Sequence, residues 1–281
     1  MVRRRGGATL LARAATALAA AAILVFVLFP FYWLLATSFA SPTSIGQWPP
    51  ALWPHPPTWV NYRQAFDDYG FAVYIRNSFV VSTAATVATV SLGALAGYGL
   101  ARTPVRGRSA TLVGALAISS FPAIAVISPL YLVMHVLGWL NSYQALIVPY
   151  TAFNLPFTLW ITYSYFRQVP LEVEESALVD GASPVRVLLT VVAPLATPGL
   201  FTAGIFTFVA CWTEFLMALS FDTENSMRTI PVGIALFGSQ YVVPYGTIFA
   251  ASAVVVVPVA LLVLAFQRWV VSGLTAGAVK S

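Results

Sequence analysis

The sequence predicts an all-α polytopic membrane protein with six transmembrane helices and both termini in the cytoplasm. Three observations carry this reading. Of the 281 residues, 59% are hydrophobic and only 8% are charged, and the mean hydropathy is +0.84. Apolar runs recur along the whole chain, each long enough to cross a hydrocarbon core of about 30 Å. When these runs are taken as spans, eleven of the fourteen basic residues fall on one side. Lys and Arg mark the cytoplasmic side of a membrane protein.

The spans fall at about 14–36, 77–101, 111–134, 143–166, 199–219 and 247–268. Arg3, Arg4, Arg5 and Arg13 precede the first span, and Arg102, Arg106 and Arg108 follow the second. Arg167 and Arg186 flank the next basic-side loop, and Arg268 and Lys280 follow the last span. Only Arg63, Arg76 and Arg228 lie on the opposite side. The net charge of +5 is therefore a topology signal, and no basic stripe with interleaved aromatics suggests nucleic acid. An Arg-rich start before an apolar run also occurs in signal peptides. Here the run continues through Phe26-Val27-Leu28-Phe29 without a polar break, which favours an uncleaved helix.

Residues 1–72 form the first helix and an outward loop rich in Pro and Trp, where prolines oppose helix and tryptophans suit the headgroup region. Asn61 to Tyr69 is the one stretch of that loop with helical character. Residues 73–268 form the membrane core, and 269–281 form a cytoplasmic tail. Gly93 and Gly97 in the second span have the spacing of a close-packing seam, with Gly99 beyond. Pro122, Pro129, Pro149, Pro156 and Pro258 should bend the third, fourth and sixth spans. Such bends are tolerated where neighbours or a watery cavity satisfy the freed carbonyls.

The stretch Pro170 to Pro194 gathers four of the nine acidic residues. It reads as helix, turn, helix. Pro170 suits a first helical turn, and Glu172, Glu174 and Glu175 sit near the positive end of the dipole. Gly181 can take the left-handed conformation that ends the helix, and Ser183-Pro184 cap and open the next. At about 100° per residue, Leu171 and Leu178 share a face flanked by Glu174 and Glu175. The result is a small apolar knob with an acidic rim, suited to docking into another protein.

Glu175-Ser176-Ala177, Asp180-Gly181-Ala182 and Pro194-Leu195, with thirteen residues from Gly181 to Pro194, resemble the EAA loop of bacterial ABC importer membrane subunits. Ser176 departs from the usual Ala but is also small. Gln267-Arg268-Trp269 and the run from Gly273 to Lys280 resemble the tail of MalG-type sugar permeases. The resemblance implies the transmembrane domain of a type I importer in the bacterial inner membrane. It implies a second permease subunit, an ABC ATPase dimer that binds ATP and Mg, an extracytoplasmic solute-binding protein and a sugar substrate. This chain itself would then hold no cofactor and catalyse nothing. By the same resemblance Glu174, Glu175, Ser176, Ala177, Asp180, Gly181 and Ala182 form the ATPase-coupling segment. Gly273, Thr275, Gly277 and Lys280 of the tail would reach toward the ATPase.

Glu214 is the one acidic residue inside an expected span, and an intramembrane carboxylate marks a functional position unless it is structurally satisfied. The run Trp212-Thr213-Glu214-Phe215 resembles a Trp-Asn-Glu-Phe-type run of sugar permeases, which makes Trp212, Thr213 and Glu214 candidate cavity residues for a di- or oligosaccharide. Glycerol phosphate or a polyol is the alternative substrate. A gradient-driven transporter should show internal repeats and paired midplane charges, which are not evident. His55 and His135 are the only histidines and Cys211 the only cysteine, so no metal site or disulfide is expected. No GxxxxGK[ST] loop is present to bind ATP.

Overall fold

The computed structural model describes residues 5–238 and 243–276, and helices are the only regular secondary structure among them. Two compact units are distinguished, one formed by residues 1–70 with 237–254 and the other by 71–236 with 255–281.

In the first unit, helix α1 (Arg5–Ser38) contains the apolar segment Ala12–Ser38, none of whose most hydrophobic window is buried within the chain. A helix that is apolar all round must face lipid or other helices. The loop that follows is built around aromatic rings: Phe39 meets Trp59 edge-on at 4.9 Å and Tyr62 at 5.2 Å. Buried Asn61 fixes the loop to the end of α1 by donating to the Ser38 and Ala40 carbonyls at 2.9 and 2.7 Å. The expected short helix is α2 (Val60–Arg63), continued by one turn of π-helix over Gln64–Asp68.

The second unit holds the core. Helix α3 (Phe71–Arg102) and α6 (Tyr143–Phe166) are single spans, and α10 (Thr197–Trp212) packs against both. The seam expected at Gly93 and Gly97 exists. A Cβ on Gly93 would lie 2.5 Å from Thr158 Cγ2, and one on Gly97 would lie 2.4 Å from Thr162 Oγ1. Thr162 also donates to the Gly93 carbonyl at 2.8 Å, so the close approach is hydrogen-bonded across the helices. Gly99 has open space around it and takes no part.

Among the described residues, four helices are each long and apolar enough to cross a membrane, and up to six spans result when each of two bent pairs is counted as one. The expected third span is broken: α4 (Arg108–Ser119) and α5 (Ala123–Val136) meet at 87°. Pro122 causes this, because it lacks an N–H and excludes helical geometry from Phe121 before it; its own ψ of 121° is extended. Pro129, Pro149, Pro156 and Pro258 all remain inside helices.

The fifth span is also corrected. Helix α7 (Leu171–Val179) is followed by α8 (Pro184–Val187), a π-helical turn over Leu188–Val192, and α9 (Ala193–Leu195). The segment Pro184–Leu195 then turns by 84° into α10. Helix α10 ends at Trp212 instead of near residue 219, and a separate short helix α11 (Leu216–Phe221) follows. After α12 (Ile230–Ala235), the last helix α13 (Tyr245–Ala276) runs past the expected end at 268. Gly273 and Thr275 belong to its final turn, while Gly277 and Lys280 lie outside the described residues.

Candidate functional site

The loop 170–194 has the local geometry its sequence implies. Pro170 precedes α7, Asp180 follows it, and Gly181 takes φ +84°. The Gly181 amide donates to the Leu178 carbonyl and that of Ala182 to the Ala177 carbonyl, closing the end of the helix. Ser183 caps the next helix by accepting from the Arg186 amide at 3.4 Å. Ser176 turns its hydroxyl back to the Glu172 carbonyl at 2.8 Å, so the substitution for Ala adds no stray polar group.

The loop is seated on the membrane core by an apolar cluster. Phe166, Val169, Val187, Leu188 and Val192 are buried together, with Tyr98, Ala177 and Ala182 packed around them. Leu171, Val173, Leu178 and Val179 of α7 are exposed, Val179 by 86%, with Leu171, Leu178 and Val179 along one stripe. Glu172, Glu175 and Asp180 are exposed around them. The expected knob of Leu171 and Leu178 is exposed, with Glu175 beside it, and the rim needs one correction.

Glu174 is not on the rim. It is buried and ion-paired with Arg102 at the end of α3. Arg102 Nε donates to Glu174 Oε1 at 2.7 Å, and its Nη2 donates to the Phe166 and Val169 carbonyls at 2.8 and 3.0 Å. Tyr98 donates its hydroxyl to the other carboxylate oxygen at 3.1 Å. One guanidinium thereby joins the end of α3, the end of α6 and the underside of α7. The sequence offered no signal for this, since Arg102 reads there only as a topology marker.

Trp212, Thr213 and Glu214 sit at the break between α10 and α11. Trp212 is buried and stacks on Phe208 at 5.5 Å, whereas Thr213 is exposed and bonds the Val209 carbonyl. Glu214 is outside the helix that was expected to contain it. Its carboxylate accepts from the Met217 and Ala218 amides at 2.9 and 3.2 Å, which caps α11, and from the Tyr150 hydroxyl at 2.6 Å. Three donors within the chain satisfy it. Its position therefore has a structural cause, and Trp212 turns its ring into the core.

A second buried carboxylate lies one helix further on. Asp222 is 1% exposed, and neither of its oxygens has a hydrogen-bond partner. Burial pushes its pKa up to about 7, and the nearby Ser142 amide opposes this without reaching bonding geometry. The folded value lies above the ordinary one, so the folded state holds a proton that the unfolded chain has released between about pH 4 and 7. Stability should fall as pH rises through that window. Asp222→Asn should therefore raise the unfolding midpoint more at pH 8 than at pH 5, read by thermal unfolding of the assembled protein. An equal shift at both values would mean that Asp222 is already charged when folded.

An apolar helical bundle with bent spans and a short helix–turn–helix seated on the ends of α3 and α6 suits a membrane permease. The chain belongs to the binding-protein-dependent transport system inner membrane component family, whose model matches residues 89–276. It is 43% identical over 263 residues to the sulfoquinovosyl glycerol transport system permease protein SmoH of Agrobacterium fabrum, covering 94% of this chain and 92% of that one. It is 41% identical over 260 residues to the trehalose/maltose transport system permease protein MalG of Thermococcus litoralis, covering 91% and 92%. The trehalose permease protein SugB of Mycobacterium tuberculosis is 38% identical, with 91% and 93% covered.

In fold, the chain matches a crystal structure of a bacterial ABC transporter involved in the import of the acidic polysaccharide alginate. The TM-score is 0.79 at 18% identity, over 92% of this chain and 96% of that one. The protein is thus an inner-membrane permease of a carbohydrate ABC importer, a non-catalytic subunit whose ATP is hydrolysed by a partner. The gradient-driven alternative falls with this assignment.

Proposed function

We propose that this chain forms half of a sugar translocation pathway and that loop 170–194 couples it to the ATPase. The observation that carries the reading is the exposed side of α7, where Leu171, Leu178 and Val179 form an apolar stripe with Glu175 within it and Glu172 beside it. Four exposed aliphatic side chains on a nine-residue helix outside the spans mark a contact surface, which this reading assigns to the ATPase. In this reading they fill a cleft of the ATPase while Glu175 and Asp180 make polar contacts at its edge. Ser176, Ala177, Gly181 and Ala182 hold the helix–turn–helix shape, and Glu174 acts from beneath by fixing α7 to α3. Closure of the ATPase dimer on ATP would move α7, and with it the ends of α3 and α6, shifting the pathway between its two access states.

The distribution of Lys and Arg supports placing the loop, both termini and the tail residues Gly273, Thr275, Gly277 and Lys280 on the ATPase side. A second permease and an extracytoplasmic binding protein complete the importer. The substrate proposed is a di- or oligosaccharide, because permeases named for trehalose/maltose, trehalose and diacetylchitobiose are among the relatives. Its passage at the α10–α11 break would bring it past Thr213, with Trp212 and Glu214 holding that break in shape.

Reversing the charge at Glu175 tests the coupling. In proteoliposomes containing the complete importer, Glu175→Lys should lower ATP-driven uptake about tenfold, the effect of a misplaced like charge in an interface. The membrane subunits should still assemble with each other. Uptake at the unaltered rate would place the ATPase contact elsewhere. A panel of labelled disaccharides and polyols in the same vesicles tests the substrate, and uptake of polyols alone would overturn the saccharide assignment.

A further inference from the structure

A pocket of about 650 Å³ lies between α4 and α6, at the end where α4 begins and α6 stops. Its walls divide chemically. Arg108, Ser109, Tyr163 and Arg167 form one part, and Leu112 and Trp160 begin an apolar part that continues along α4. Both arginines lean on the same tyrosine. The Arg108 guanidinium carbon is 6.0 Å from the Tyr163 ring centre, and Arg167 Nη1 donates to its hydroxyl at 3.4 Å. Arg108 is held there by its bond to the Thr103 carbonyl at 2.7 Å, while its Nε is buried without a partner.

No carboxylate lines this pocket, and among the described residues the one carboxylate–guanidinium ion pair is Arg102–Glu174. Two like charges gathered on one ring repel, and an anion held between them would offset that repulsion. Guanidinium groups match a phosphate through paired donors. The apolar part adds a second requirement. Val113 is 64% exposed and Trp160 40% exposed on membrane-spanning segments, at the boundary where Trp and Tyr mark the headgroup level. A free anion would leave that wall uncovered, whereas a molecule with an anionic head and an acyl tail covers both parts.

We propose that Arg108 and Arg167 bind the phosphodiester headgroup of an anionic phospholipid, with an acyl chain lying along Leu112 and Val113 of α4. The phosphodiester, with its single negative charge, bridges the two arginines and offsets their repulsion, and the lipid fills the gap between α4 and α6. Basic pockets between spans at the membrane boundary take such headgroups.

The test uses the assembled importer, purified in detergent, stripped of lipid and titrated with dioctanoyl-phosphatidylglycerol under native mass spectrometry. Wild type should bind the lipid, and Arg108→Gln/Arg167→Gln should bind it about 30-fold more weakly. Arg106→Gln, which alters an exposed arginine outside the pocket, should behave as wild type. Arg108→Lys/Arg167→Lys keeps both charges and should fall between. Equal binding by wild type and the Gln double variant would overturn the proposal. Displacement of the lipid by inorganic phosphate at equal concentration would reassign the pocket to a free anion. Crosslinking of a photoreactive benzoylphenylalanine placed at Ser109 to the second permease in the lipid-free complex would show that protein covers the pocket instead.

Discussion

Glu174→Leu should destabilise the protein by about 3–5 kcal/mol, the cost of leaving a buried guanidinium without its carboxylate. The pair is enclosed: the Arg102 side chain is 13% exposed and that of Glu174 is 5% exposed. Arg102 would keep the Phe166 and Val169 carbonyls, but these do not neutralise it. Tyr98 would lose the acceptor for its hydroxyl as well. The double variant Arg102→Met/Glu174→Leu should recover much of the loss, because an apolar pair of similar volume avoids the desolvation of both charges. The measurement is the unfolding free energy of both single variants and the double variant in the assembled importer. Additive losses would mean that the two side chains act independently, contrary to their geometry.

This variant also separates position from contact. Glu174 lies beneath α7 and Glu175 lies on its exposed side, so the two neighbouring carboxylates should give different failures. Loss of Glu174 should loosen α7 and admit protease to the loop even without an ATPase. Reversal of Glu175 should leave the loop as resistant as before and affect only the assembled transporter.

Gly181, Ser183 and Pro184 were legible because each acts within a few residues of itself. A left-handed turn, a cap and a first-turn proline are local decisions, and the loop 170–194 has all three. The spans were legible for a similar reason, since a hydrocarbon core imposes one length on every crossing helix. The breaks were not. Pro122 interrupts a span while Pro149 and Pro156 leave α6 continuous, and nothing adjacent in sequence separates the two outcomes.

The same limit applied to the acidic residues. Glu174 meets Arg102 across 72 residues of sequence, and Glu214 meets Tyr150 across 64. No periodicity along one helix reports such a partner. The apolar composition did imply that each buried carboxylate must find one. Glu174 found a cation and Glu214 found three donors, whereas Asp222 has no hydrogen-bond partner and is raised to about 7.

Gly97→Leu should prevent α3 and α6 from closing, while Gly99→Leu, two residues away, should be tolerated. A Cβ on Gly97 would lie 2.4 Å from Thr162 Oγ1 and 3.0 Å from the Tyr163 backbone nitrogen. The threonine could rotate only by giving up its bond to the Gly93 carbonyl, and the backbone of α6 cannot yield locally. Overpacking a well-packed contact costs about 1–3 kcal/mol, and a branched side chain on a helix seam belongs at the upper end or beyond. At Gly99 no atom lies within 4 Å of the added Cβ, and replacing a helical glycine contributes up to about 1 kcal/mol in the other direction. The two substitutions add the same side chain to the same helix, so general hydrophobicity cannot explain a difference between them. The yield and unfolding midpoint of the membrane-inserted protein should drop sharply for Gly97→Leu and hold or rise for Gly99→Leu. Similar behaviour of the two would mean that the helices do not meet along Gly93 and Gly97, and the seating of loop 170–194 on the ends of α3 and α6 would have to be redrawn.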